Sequence, residues 1–104
     1  MQYRQYRSDL LSVVGFGGIV VMDETPADAE RIVGTAIDRG VTYFDVAPSY
    51  GNAEERLGPA LEPYRRNVFL ACKTNIRNAA EAEQELNASL KTLRTDHFDL
   101  YQIH

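Results

Sequence analysis

Three times in 104 residues an apolar run of strand length is followed by an amphipathic segment of helix length, and a fourth apolar run closes the chain. This alternation restricts the fold more than any other feature. Consecutive strands separated by one helix pair in parallel through right-handed crossovers, with the helices stacked on the sheet. The runs are residues 11–22 "LSVVGFGGIVVM", 41–47 "VTYFDVA", 67–74 "NVFLACKT" and 97–104 "HFDLYQIH". The first is glycine-rich and reads as a buried strand, or as two short strands around a glycine turn. The fold class is therefore α/β with parallel strands alternating with helices.

Start and stop signals bound the helices. Thr25 is an N-cap, Pro26 suits the first helical position, and Asp28 is placed to complete a capping box. Ala29, Ile32, Val33, Ala36 and Ile37 form one apolar stripe, and Gly40 stops it. Asn52 with Glu55 opens a second helix whose inner face carries Leu57 and Leu61. Pro59, well inside that helix, removes an N–H and is expected to kink or shorten it. Asn78 and Glu81 cap a third helix, with Ala82, Leu86, Leu90 and Leu93 on one side. No linker, low-complexity tract or charge run divides residues 1–104, so the chain reads as one unit. It stops on a strand that no helix follows. Four strands with three helices correspond to the first half of a (β/α)8 barrel, a fold of about 250 residues, truncated after its fourth strand.

Charge and cysteine content exclude several classes. A net charge of −4 and a pI near 5.1 leave no face able to neutralise phosphates, so a nucleic-acid partner is not expected. Cys72 is the single cysteine and lies in an apolar run, which reads as a structural thiol in a reducing compartment. The N-terminus lacks an apolar leader core, and no run approaches the ~18 apolar residues that span a bilayer. No membrane partner is expected, and the localisation read from these features is cytoplasmic.

In parallel α/β folds the strand C-termini face the ligand. Asp45 ends the second strand, Tyr50 follows in its loop, Lys73 ends the third and His104 ends the fourth. Taken singly, each has a bland explanation as a turn former, an aromatic lid, a snorkelling amine or a strand end. Together they place four proton-handling groups on three successive strand ends. An ammonium beside a phenol favours the phenolate and makes the phenol a better acid, and a carboxylate keeps that ammonium charged. A histidine can then hydrogen-bond a carbonyl oxygen or share a proton with the phenol. Such a set suits protonation of a developing alkoxide, with the hydride brought by a cofactor because no side chain delivers one. Gly15, Gly17 and Gly18 do not make a dinucleotide fingerprint, since Val20 stands where the third glycine belongs. Glu54, Glu55 and Arg56 read as a solvated helix start and His97 as a loop residue.

The segments "FDVAPSYGNAEERLG", "LACKT" and "LRTDHFDLYQIH", with the N-terminal "GFGG", resemble the signatures of the aldo-keto reductases. The resemblance implies that Tyr50 is the general acid, that Lys73 and Asp45 tune it, and that His104 orients the substrate carbonyl. It also implies that Gly17, Gly18 and Ile19 lie along the ribose and pyrophosphate of NADPH, with NADH possible, and that Asp45 lies near the nicotinamide ribose. The implied activity is reduction of aldehydes or ketones, small-molecule carbonyl substrates, to alcohols. In that family most cofactor and substrate contacts come from the second half of the barrel. The segment alone is therefore expected to turn over little, and to associate with the remaining half of the barrel or with itself through open strand edges. The alternatives are a non-catalytic regulatory subunit on the same fold, as in the β-subunits of voltage-gated potassium channels, and a truncated half-barrel without activity.

Overall fold

The computed structural model describes residues 1–104. Its centre is a sheet of four parallel strands in sequential order: β3 (Phe16–Gly17), β4 (Tyr43–Asp45), β5 (Phe69–Thr74) and β6 (Leu100–Ile103). Three helices connect them, α1 (Pro26–Asp38), α2 (Ala53–Leu61) and α3 (Ala79–Thr92), with 3-10 turns at Gly18–Val21 and Glu62–Asn67. This is the half-barrel arrangement expected from the strand-helix rhythm. No helix is long and apolar enough to cross a membrane.

An N-terminal hairpin, β1 (Tyr3–Tyr6) paired antiparallel with β2 (Asp9–Ser12), is absent from the sequence reading. Its residues are mostly polar and exposed, so they carry no hydrophobic period to detect. Side-chain bonds to the end of the α1 crossover hold it instead. Tyr3 donates to the Gly40 carbonyl at 2.9 Å, and Ser12 and Thr42 exchange backbone-to-hydroxyl bonds at 2.9 Å each. Gly40 does stop α1, with φ +91. Of the two readings of 11–22, the structure takes the second: two short strands, the end of β2 and a two-residue β3, lie on either side of Gly15, and a 3-10 turn replaces strand from Gly18 onward. The chain bends at Gly18 because its backbone lies against the end of β4. A Cβ there would stand 2.8 Å from the Asp45 carbonyl oxygen and from Val46 Cγ2.

The caps follow the sequence in part. Thr25 Oγ1 accepts from Asp28 N at 3.1 Å and Asn78 Oδ1 from Glu81 N at 3.2 Å, but the Asp28 carboxylate turns to Arg31 at 3.6 Å and does not close a box. Asn52 does not cap α2. Its Oδ1 accepts from Asp23 N at 2.8 Å, tying the loop before α1 to the start of α2. Pro59 lies inside α2, which ends two residues later and passes into the 3-10 turn. In α3 the buried line runs through Ser89 to Leu93 just past the helix end, while Glu85, Leu86 and Leu90 stay half-buried. The expected leucine stripe is rotated because α3 turns a polar edge toward β5.

The core lies between sheet and helices, where Phe44, Leu70 and Cys72 meet Val33, Leu57 and Leu61. The other face of the sheet carries Tyr43, Phe69 and Leu100. With Tyr6 and Leu11 of the hairpin they line an open apolar cavity of about 190 Å³. Val13, Val14, Ile19, Val20 and Ile103 are each more than half exposed.

Candidate functional site

Parallel register sets the site before any side chain is considered. Gly17 pairs with Asp45, Asp45 with Ala71, and Lys73 with Gln102. Lys73 is two residues beyond Ala71, so it projects from the same face as Asp45. Its ammonium donates to Asp45 Oδ2 at 2.6 Å and to the Tyr50 hydroxyl at 3.1 Å, and its side chain is only 12% exposed. The Nζ also lies 5.3 Å from the Tyr50 ring centre. Tyr50 is held by a turn in which its N–H donates to the Ala47 carbonyl at 3.2 Å and its own carbonyl accepts from Ala53 N at 3.0 Å. Burial works against the Lys73 ammonium. The hydrogen bonds to Asp45 and Tyr50, with the Asp45 charge, outweigh it and hold Lys73 above the ordinary lysine value.

His104 reaches the same end of the sheet, its N–H donating to the Thr74 carbonyl at 2.8 Å. Its ring meets the Tyr50 ring edge-on at 5.9 Å and 87°, so the two touch by their rings and not by a hydrogen bond. The side chain is otherwise open to solvent.

Two features bear on cofactor fit. Asp45 Oδ1 is buried and has no hydrogen-bond partner, a position that suits a hydroxyl donor from a ligand. A Cβ on Gly17 would meet nothing within 4 Å, so the space over the backbone beside Asp45 is open, and Ile19 next along is 52% exposed. Gly18 differs, since packing against the Asp45 carbonyl and Val46 accounts for its lack of a side chain.

The Aldo/keto reductase family pattern matches residues 13–104. The chain belongs to this family. Aldo-keto reductase YhdN of Bacillus subtilis is 41% identical to it over 83 residues, 66% of this chain and 25% of that protein. The holo form of aldo-keto reductase AKR11C1 from Bacillus halodurans superposes with a TM-score of 0.86 at 30% identity, over 100% of this chain and 40% of that one. A Klebsiella pneumoniae aldo/keto reductase in complex with NADP and acetate gives 0.76 at 29% identity, over 91% and 36%. The chain thus spans less than half the length of the aldo/keto reductases it matches.

Within this aldo/keto reductase segment, Glu54 corrects the sequence reading. It is not a solvated helix residue but 8% exposed, with the Cys72 thiol donating to its Oε2 at 3.5 Å. The missed signal is its spacing. Glu54 stands three and seven residues before Leu57 and Leu61, on the buried face of α2. Burial raises its pKa above the ordinary 4.5, a shift that the nearby Ser89 hydroxyl and the Cys72 thiol partly offset. Cys72 itself is pushed up to about 12 by burial and by the Glu54 charge, so it is a packed, un-ionised thiol as the sequence implied. Arg56 is also engaged, donating to the Glu24 carbonyl at 2.6 Å, whereas Glu55 is exposed as expected.

The folded chain keeps a proton on Glu54 to higher pH than the unfolded chain, so between those two values stability falls as pH rises. Glu54→Gln removes this titration. Its thermal midpoint should gain on the parent's from pH 4.5 upward and level off above the folded value; a pH-independent difference would contradict the assignment.

His97 is a loop residue, as read, with Nδ1 2.7 Å from Asp96. Beside it, Arg65 escaped notice in the sequence. Its guanidinium donates to Thr95 Oγ1, the Val68 carbonyl and the His97 carbonyl at 2.9 to 3.1 Å and faces Asp99 at 3.2 Å. Asp99 Oδ2 in turn accepts from Leu70 N at 2.8 Å. This staple joins the starts of β5 and β6, at the far ends of the strands from Lys73. The largest cleft, about 730 Å³, lies at that far end and includes none of Asp45, Tyr50, Lys73 and His104.

Proposed function

We propose that residues 1–104 are the N-terminal part of an NADP(H)-dependent oxidoreductase that reduces aldehydes or ketones to alcohols, with Tyr50 as general acid. The observation that carries this reading is the Lys73 ammonium bonded at once to Asp45 and to the Tyr50 hydroxyl. Because the Tyr50 oxygen accepts from Lys73, its own proton is free to point at a carbonyl oxygen. As that oxygen gains charge it takes the Tyr50 proton, and the phenolate left behind is stabilised by Lys73 until solvent returns a proton. Asp45 keeps Lys73 charged and in place. His104, against the Tyr50 ring, orients the carbonyl. Asp45 Oδ1, Gly17, Gly18 and Ile19 are the residues that would hold the cofactor here. When bound, NADPH, or NADH in its place, supplies the hydride that the carbonyl carbon gains. The Klebsiella relative's complex with NADP supports that choice.

The uncovered apolar face of the sheet is assigned to the remaining half of the barrel, without which the segment has little turnover. The test uses a full-length protein containing this segment. NADPH oxidation should accompany reduction of at least one member of a panel of small aldehydes and ketones, and Tyr50→Phe should abolish it with cofactor still bound. No turnover on any of them, with partner binding unchanged in Tyr50→Phe, would favour the regulatory reading instead.

The glycines provide a second check. Gly17→Ala should leave the thermal midpoint unchanged but weaken NADPH binding, because its methyl enters the open space beside Asp45. Gly18→Ala should lower the midpoint, as its methyl collides with β4. Equal NADPH affinity in Gly17→Ala and the parent would remove Gly17 from the cofactor site.

A further inference from the structure

The two residues flanking Lys73 in β5 are each tied to a glutamate on a helix behind the sheet. Strand alternation turns Cys72 and Thr74 away from the site while Lys73 faces it. Cys72 Sγ donates to Glu54 Oε2 of α2 at 3.5 Å, and Thr74 Oγ1 donates to Glu85 Oε1 of α3 at 2.6 Å. The second bond is the stronger, being short and charge-assisted, and Thr74 is 3% exposed.

Thr74 is also a junction. Its hydroxyl accepts from Ile76 N at 3.0 Å, which starts the turn out of the strand, and its carbonyl accepts the His104 N–H at 2.8 Å. It is bonded covalently to Lys73 on one side and holds the His104 backbone on the other. β5 ends at this residue, so no further ladder fixes the strand end.

We propose that Glu85 is a positioning residue: by gripping the Thr74 hydroxyl from α3 it holds the end of β5 so that Lys73 stays on Asp45 and Tyr50 and His104 stays beside the Tyr50 ring. The proposal rests on the role assigned to Lys73 above. Its physical basis is the narrow tolerance of the site, because a shift of about 1 Å at a reacting group can cost about a hundredfold in rate. The same polar contact explains why α3 turns Glu85 and Ser89 inward and leaves Leu86 and Leu90 half-buried.

The full-length protein containing this segment is labelled with carbon-13 at lysine Cε, and the Lys73 signal is assigned as the one that Lys73→Met removes. Glu85→Ala and Glu85→Gln remove the same charge, but only the amide can still accept the Thr74 hydroxyl. In Glu85→Ala the Lys73 titration midpoint should fall toward that of a solvated lysine, while in Glu85→Gln it should stay with the parent. Thr74→Val should behave like the alanine variant and Thr74→Ser like the parent. Equal Lys73 midpoints in the two Glu85 variants, whether both fall or both stay, would overturn the positioning role alone. A parent chain whose Lys73 already titrates like a solvated lysine would overturn the role of the ammonium and this proposal with it. Thermal melts of each variant show that the readings come from folded protein.

Discussion

Lys73→Met in the full-length protein should lower carbonyl reduction by about 10²–10⁴-fold, the range associated with a positioned proton-transfer apparatus, while changing NADPH affinity little. The methionine keeps most of the apolar stem but no charge, so Tyr50 loses the donor at 3.1 Å that stabilises its phenolate. Asp45 loses its partner at 2.6 Å and keeps one buried oxygen already without a bond. An unpaired, partly buried acceptor costs ~1–3 kcal/mol, and Asp45 belongs at the low end because its side chain is 30% exposed. The pH dependence has a definite sign. Lys73 is held above the ordinary 10.5 in the folded state, so its stabilisation is fully present below that value and is lost as pH rises through the folded one. The stability gap between parent and variant should therefore be flat through neutral pH and close only in alkaline solution. Activity of Lys73→Met within tenfold of the parent would remove the ammonium from the mechanism.

Gly58→Ala should destabilise the fold by ~1–3 kcal/mol, even though alanine is the better helix former by ~1 kcal/mol. A Cβ at Gly58 would lie 2.6 Å from the Thr92 carbonyl oxygen and 2.9 Å from Leu93 Cα. Both are backbone atoms at the end of α3, so no rotamer change relieves the clash and α2 must move off α3. For a chain of this size each kcal/mol corresponds to roughly 4–8 °C in thermal midpoint. Gly34→Ala in the middle of α1 is the control. Its Cβ would have only the Tyr64 hydroxyl nearby, at 3.8 Å, so there the helix preference should win and the midpoint should rise. If both variants rise, the contact of α2 with α3 is looser than the structure has it.

Both expectations depend on contacts of different legibility in the sequence. The strand-helix rhythm was readable because burial of one helix face and a whole strand imposes a period on the residues. Thr25 and Asn78 were readable as caps because a cap needs only a donor three residues along. Asn52 has the same local pattern yet bonds Asp23, 29 residues away in sequence, since that loop returns over the helix start. The hairpin was invisible because polar strands held by Tyr3, Ser12 and Thr42 have no apolar period. Glu54 was misread because charge argued for solvent, while its position on the helix argued for the core.

By itself the sequence determined the layered α/β class, the order of the strands and which residue types end each one, because periodicity and strand ends are local properties. Only the tertiary structure decided that the Lys73 ammonium reaches both Asp45 and Tyr50, that Glu54 and Glu85 stand behind it, and that Gly17 is open while Gly18 is packed. Those outcomes follow from register and from the approach of segments distant in the chain, which no local pattern of residues encodes.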